Sequence, residues 1–305
     1  MFQGVTFFYH LRGGEFHFPP GSSRVDPLGG LRAGPFEGSV GMHRVRRPAV
    51  AGRFYPADEV TLSQVVDEML GEGLGSESPG PPPKALIAPH AGYVYSGPVA
   101  ASAYNRLLPF RGRYRKVLLL GPAHMHPFRG LAACSATAFE TPLGKVPIDQ
   151  GALARALELP QVQMIDQAHH GEHSLEVHLP FLQKVLAAFH VLPLVVGEAS
   201  AEEVSQVLRE LWGGEETLVV VSSDLSHYLS YERAARMDEA TAVAIEALKP
   251  EEIHRDQACG RIPVGGLLLV ARELGLEVER VDLRSSGDTA GPRDQVVGYG
   301  SFLFS

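Results

Sequence analysis

The chain has 305 residues, with 27 lysines and arginines against 35 aspartates and glutamates, a formal net charge of −8. That acidic balance argues against nucleic acid or an anionic membrane as the main partner, and no apolar run approaches the ~18 residues of a membrane span. Two cysteines, Cys134 and Cys259, cannot build a disulfide framework, so a reducing, cytoplasmic setting is expected.

Residues 1–41 mix Gly, Pro and isolated aromatics without helical or strand period. They read as a disordered tail or, as the favoured expectation, a translated upstream stretch with Met42 as the natural start. From 42 to 305 the pattern is orderly and reads as one domain. Residues 60–70 carry helical spacing of apolar side chains, and 71–83 form a Gly/Ser/Pro loop. An unpunctuated apolar run at 85–88 predicts a buried strand that Pro89 ends, delivering His90. A small-residue helix is expected over 97–106, with Pro98 in its first turn. The next strand, 117–120, runs through Gly121 and Pro122 to His124.

Helices are predicted at 149–157 and 175–189, the second interrupted by Pro180. Strands at 191–197 and 217–224 bracket a helix at 201–211. Helices at 240–248 and 264–274 follow, then a period-two stretch at 276–283 and a closing strand at 295–304. Strands alternating with helices predict an α/β fold: a single domain with a mainly parallel central sheet flanked by helices.

Both His90 and His124 should sit just past the C-terminal ends of buried strands, where open α/β sheets build their sites, so a shared metal centre is the first hypothesis. A third strand ends in Asp224 and His227, an acid and an imidazole three residues apart. The carboxylate either orients the imidazole for proton transfer or caps the following helix. Around Glu172 the sequence is dense in ligand types, but His173 and His178 are five apart, ~140° around an ideal helix, which is wrong for a zincin. Glu172 and His173 are expected to line a cleft, with Glu176 and His178 in structural hydrogen bonds. Cys259 lies in a polar turn before an apolar helix, where the dipole favours thiolate; a small buried hydrophobe is the alternative. Cys134, in a small-residue run, fits that alternative better. No Gly-x-Ser-x-Gly elbow, phosphate loop or dinucleotide fingerprint follows any strand.

Seven motifs in order carry a resemblance: Ala-Gly-Arg-Phe-Tyr-Pro (51–56), Ala-Pro-His-Ala-Gly-Tyr (88–93), Leu-Gly-Pro-Ala-His (120–124), Thr-Pro-Leu-Gly (141–144), Glu-His-Ser-Leu-Glu-Val-His-Leu-Pro (172–180), Ser-Ser-Asp-Leu-Ser-His (222–227) and Cys-Gly-Arg-Ile-Pro-Val-Gly (259–265). Together they resemble the Memo family, whose prokaryotic members are called AmmeMemoRadiSam system protein B, over residues 47–305. The resemblance implies a fold like that of the class III extradiol dioxygenases, which open catechol rings with non-haem iron. It implies one metal ion, Fe(II) or copper with zinc as a third choice, held by His90, His124 and Cys259. His227 then resembles the acid/base histidine, Asp224 orients it, and Tyr95, Glu172 and His173 line the pocket. Cys259 stands where the dioxygenases use a carboxylate, which shifts the metal preference and separates fold from reaction.

The function expected is therefore a metal-dependent oxidoreductase of unspecified substrate. The competing expectations are a non-catalytic module that binds a small molecule or peptide, a subunit acting with radical-SAM and AMMECR-type proteins, and a hydrolase using metal-bound water.

Overall fold

Four apolar segments rich in Val, Leu and Ile build the centre of a nine-stranded sheet, and their near-complete burial explains why they read as unbroken hydrophobic runs. The computed structural model describes residues 45–72 and 80–305. The 1–41 extension, the expected start at Met42 and residues 73–79 of the expected loop lie outside the described residues.

In chain order the elements are β1 (Val45–Arg46), α1 (Glu59–Glu72), β2 (Ala85–Ala88), α2 (Tyr93–Asn105) and β3 (Lys116–Pro122). Four short strands and two helices follow: β4 (Leu131–Ala133), β5 (Ala138–Thr141), β6 (Gly144–Pro147), α3 (Gln150–Ala156), β7 (Val162–Met164) and α4 (Asp166–His169). Then come α5 (Leu179–Val185), β8 (His190–Val196), α6 (Ala201–Leu211), β9 (Thr217–Ser222), β10 (His227–Leu229) and α7 (Tyr231–Glu246). The last elements are α8 (Arg261–Leu274), β11 (Val278–Ser285) and β12 (Val296–Phe304).

The main sheet has the order β10-β12-β2-β9-β3-β8-β4-β7, with β11 also paired to β12. Strands β2, β9, β3 and β8 run parallel, but β12 is antiparallel to β2, β10 and β11, and β4 is antiparallel to β8. The sheet is thus mixed, which corrects the mainly parallel expectation. Its parallel centre is joined by helical crossovers, whereas the ten residues between β11 and β12 are too few for one and return the chain antiparallel. A second, three-stranded sheet has the order β1-β5-β6. Helices α1, α2 and α5 pack together, as do α3, α6 and α8. No helix among the described residues is long and apolar enough to cross a membrane.

Several boundaries differ from the sequence reading for local reasons. Helix α2 begins at Tyr93, not residue 97, because Gly92 supplies the extended N-cap, and Pro98 falls inside the helix. Pro122 does not end β3 early; it still pairs with Val196. Pro180 starts α5 instead of interrupting it, since a first-turn amide has no intrahelical partner to lose. Helix α3 starts as expected from Asp149, whose side chain accepts the Ala152 N–H at 2.9 Å.

For the site, one consequence of this topology matters most. Strand β9 lies between β2 and β3, all three parallel, so the segments after them emerge on the same edge. Those segments carry His90, Asp224 with His227, and His124.

Candidate metal centre

His90 follows β2 and is buried, 2% exposed. Its Nδ1 lies 2.6 Å from Ser222 Oγ, and that hydroxyl donates its own hydrogen to Ser174 O at 2.6 Å. With the Ser222 proton committed, Nδ1 must be the donor, which leaves Nε2 bare. Burial, reinforced by the neighbouring His124 and His173, drives the His90 pKa well below the ordinary imidazole value. A neutral ring with a free Nε2 is the form that ligates metal.

His124, just beyond β3, is fixed by Glu172. The carboxylate accepts the His124 backbone N–H at 2.6 Å and pairs with Nδ1 at 2.9 Å, so Nδ1–H donates and Nε2 is again free. Glu172 also accepts the amides of His173 and Ser174, both at 2.9 Å. Burial opposes its charge, but these bonds, His124 foremost, outweigh burial and hold its pKa down at about 2. Gly121 permits this approach of the 172–175 segment to β3: a Cβ there would lie 2.8 Å from Ser174 Oγ.

His173 stacks on His124, with ring centroids 4.6 Å apart and planes 23° apart, and the Phe54 ring lies 4.8 Å from it, tilted by 57°. Its Nδ1 is 3.6 Å from Glu172 Oε1, too long for a hydrogen bond. Burial, then His124, lowers its pKa to about 4. One nitrogen each from His90, His124 and His173 lies within 4.8 Å of the others, a group that could hold a metal ion. The sequence places His173 in the pocket lining; the geometry also brings it into this three-nitrogen group.

Cys259 precedes α8, and its Sγ lies 3.3 Å from His90 Nε2 and 3.6 Å from Asp224 O. It touches His90 but falls outside the three-nitrogen group. The expected dipole-favoured thiolate is not what the surroundings dictate. Burial, with Asp224 adding repulsion, pushes the thiol pKa up to about 12, so metal-free protein keeps it as S–H. Gly260, next in sequence, sits against β9: a Cβ there would lie 2.5 Å from Ser222 O.

Among the described residues Asp224 makes no hydrogen bond to His227 and caps no helix. Its Oδ1 accepts the His90 backbone N–H at 2.7 Å, and its Oδ2 lies 4.0 Å from His90 Nε2. Burial raises its pKa, opposed by the bond from His90. His227 instead donates Nδ1–H to Leu225 O at 2.8 Å; a carbonyl only accepts, so the tautomer is set by backbone and Nε2 is free. Tyr228, next to it, has φ 58° and is exposed, a strained position at the irregular β10–β12 pairing. Tyr95 is half-buried in the first turn of α2 and makes no ring contact with the histidine group among the described residues.

Glu176 and His178 have structural partners. Glu176 accepts from the Ala49 and Val50 amides and the Tyr55 hydroxyl and pairs with Arg46. The Nδ1 of His178 lies 2.8 Å from the Tyr104 hydroxyl. Cys134 is buried, and burial raises its pKa to about 11. Sequence reasoning assigned no role to Ser222, Leu225 O, Phe54 or Arg46; the first three lie inside quoted motifs, whereas Arg46 lies in none.

The family model described as Memo-like protein matches residues 46–303. The chain is 38% identical over 273 residues to a MEMO1 family protein of Aquifex aeolicus, covering 86% of this chain and 99% of that one. A MEMO1 family protein of Pyrobaculum arsenaticum is 36% identical over 284 residues, with 86% and 99% coverage. Among solved structures, an uncharacterised Escherichia coli K12 protein gives a TM-score of 0.47 at 16% identity, covering 72% of this chain and 99% of that one.

Proposed function

The chain belongs to the Memo-like protein family, and from that premise we propose that it is a metal-dependent oxidoreductase with a mononuclear centre at the ends of β2 and β3. The observation that carries the reading is the pair of fixed tautomers. His90 and His124 each have Nδ1–H tied to a protein acceptor, so both present a bare Nε2, beside His173 and the Cys259 thiol. Three convergent imidazoles, with His90 buried and held neutral, fit a divalent ion better than any use within the fold. Imidazoles with a nearby sulfur suit iron(II), copper or zinc.

When bound, such an ion supplies Lewis acidity and, for iron or copper, one-electron chemistry. The chain's own part is distinct. Glu172 and Ser222 keep the two donor rings in one tautomer, Asp224 anchors the His90 backbone, and Phe54 covers His173. His227 holds a proton on Nδ1 and offers Nε2 to receive or release another. The likeness to ring-opening dioxygenases belongs to the same proposal, with His173 or Cys259 in place of their carboxylate.

Anaerobic purification followed by metal analysis tests this. Near-stoichiometric iron, copper or zinc is expected in wild type, lost in His90→Ala and His124→Ala. Metal-free wild type after growth in iron- and copper-replete medium would overturn it and favour a binding role without chemistry.

A further inference from the structure

Arg46 stands outside every motif that carries the candidate chemistry, yet its side chain is only 11% exposed and fully engaged. Its Nε and Nη2 donate to His169 O at 3.3 and 3.1 Å, Nη2 donates to Glu172 O at 2.5 Å, and Nη1 pairs with the Glu176 carboxylate. We propose that Arg46 is a positioning residue for the metal centre, setting the His124 ring through Glu172; the inference rests on the metal-centre reading above.

The physical need is local. Between the end of α4 at His169 and the helical turn at 176–178 the backbone belongs to no helix or strand, and Gly171 turns it with φ 78°. A segment without its own ladder must fix its carbonyls elsewhere. The planar guanidinium spans the two carbonyls on either side of the Gly171 turn, His169 O and Glu172 O, and so fixes the backbone from which the Glu172 carboxylate reaches His124.

A second tether runs from the same guanidinium. Glu176 also accepts from the amides of Ala49 and Val50, at 2.7 and 3.0 Å, and from the Tyr55 hydroxyl at 2.5 Å. Those bonds hold the strap that places Phe54 on His173. One arginine thus braces the neighbours of two of the three nitrogen donors.

Lysine at 46 keeps the charge beside Glu176 but radiates its donors from a point, so it cannot bridge His169 O and Glu172 O. Full-length Arg46→Lys is compared with wild type by zinc competition against a chromophoric chelator, and by nitrogen NMR of the His124 ring without metal. Zinc affinity should fall ~10–100-fold, and the His124 Nδ1–H tautomer should lose its dominance. Added to Glu172→Gln, the substitution should cost little more, because both act on one path.

A folded Arg46→Lys protein with wild-type zinc affinity and an unchanged His124 tautomer overturns the proposal, as does full additivity with Glu172→Gln. Should wild type take no zinc, the metal reading fails separately, and the His124 tautomer alone decides on Arg46. If Arg46→Lys does not fold, Arg46→Gln with Glu176→Gln removes both charges of the buried pair and is read in the same way.

Discussion

A single carboxylate does much of the organising at residue scale. Glu172 accepts three backbone amides and the His124 Nδ1–H, and stays ionised down to about pH 2 despite burial. Its folded pKa lies below the ordinary 4.5, so its contribution to stability is complete above about 4.5 and is lost as pH falls towards 2. Glu172→Gln is therefore expected to cost on the order of 3 kcal/mol at pH 7, with a smaller gap at pH 3. Urea unfolding of both proteins at the two pH values measures this, and an equal gap at both would sink it. His90 and His124 were legible in the sequence because an apolar run ending in proline marks a strand end. The roles of Asp224 and His173 were not, because Asp224 bonds to a residue 134 positions away and stacking on His124 leaves no spacing signature.

At the scale of elements, the site depends on how closely α8 approaches the end of β9. Gly260 makes that approach: a Cβ would meet Ser222 O at 2.5 Å and the Ser223 side chain at 2.6 Å. Gly260→Ala should push the start of α8 outward, destabilising by about 1–3 kcal/mol and drawing Cys259 away from His90. Calorimetry reads the first effect, and faster reaction of Cys259 with a thiol reagent reads the second. A melting temperature and thiol reactivity both equal to wild type would refute it. Parallel strands β2, β3, β8 and β9 were visible as apolar runs, and so was the alternation of β11. The short strands β4 to β7 were not, since three- and four-residue segments carry too little periodicity to distinguish from loop. The same shortfall hid the antiparallel pairing of β4 with β8 and made the sheet look mainly parallel.

For the whole molecule, buried histidines dominate the response to acid. Burial, the largest cause in each case, lowers His169 and His173 to about 4 and His178 to about 3. The unfolded chain binds these protons near 6.5, whereas the native chain resists them until far lower pH. Native stability is thus unaffected above 6.5 and declines as pH drops towards 4, each histidine adding at most ~1.4 kcal/mol per pH unit. Metal-free protein should show a lower urea midpoint at pH 5 than at pH 7; a flat profile would contradict this. The sheet order has a further consequence, for synthesis. Strand β2, which leads into His90, pairs with β9 on one side and β12 on the other, and β12 is more than two hundred residues later in the chain. At ~5–20 residues per second a ribosome takes roughly ten to forty seconds to make the intervening chain. Through that interval the nascent polypeptide holds His90 without the Ser222 hydroxyl that fixes its tautomer until β9 emerges, and then with one edge of β2 still bare. On the metal-centre reading proposed above, ion uptake follows synthesis of β9, and apolar β2 keeps one edge unpaired until β12 is made.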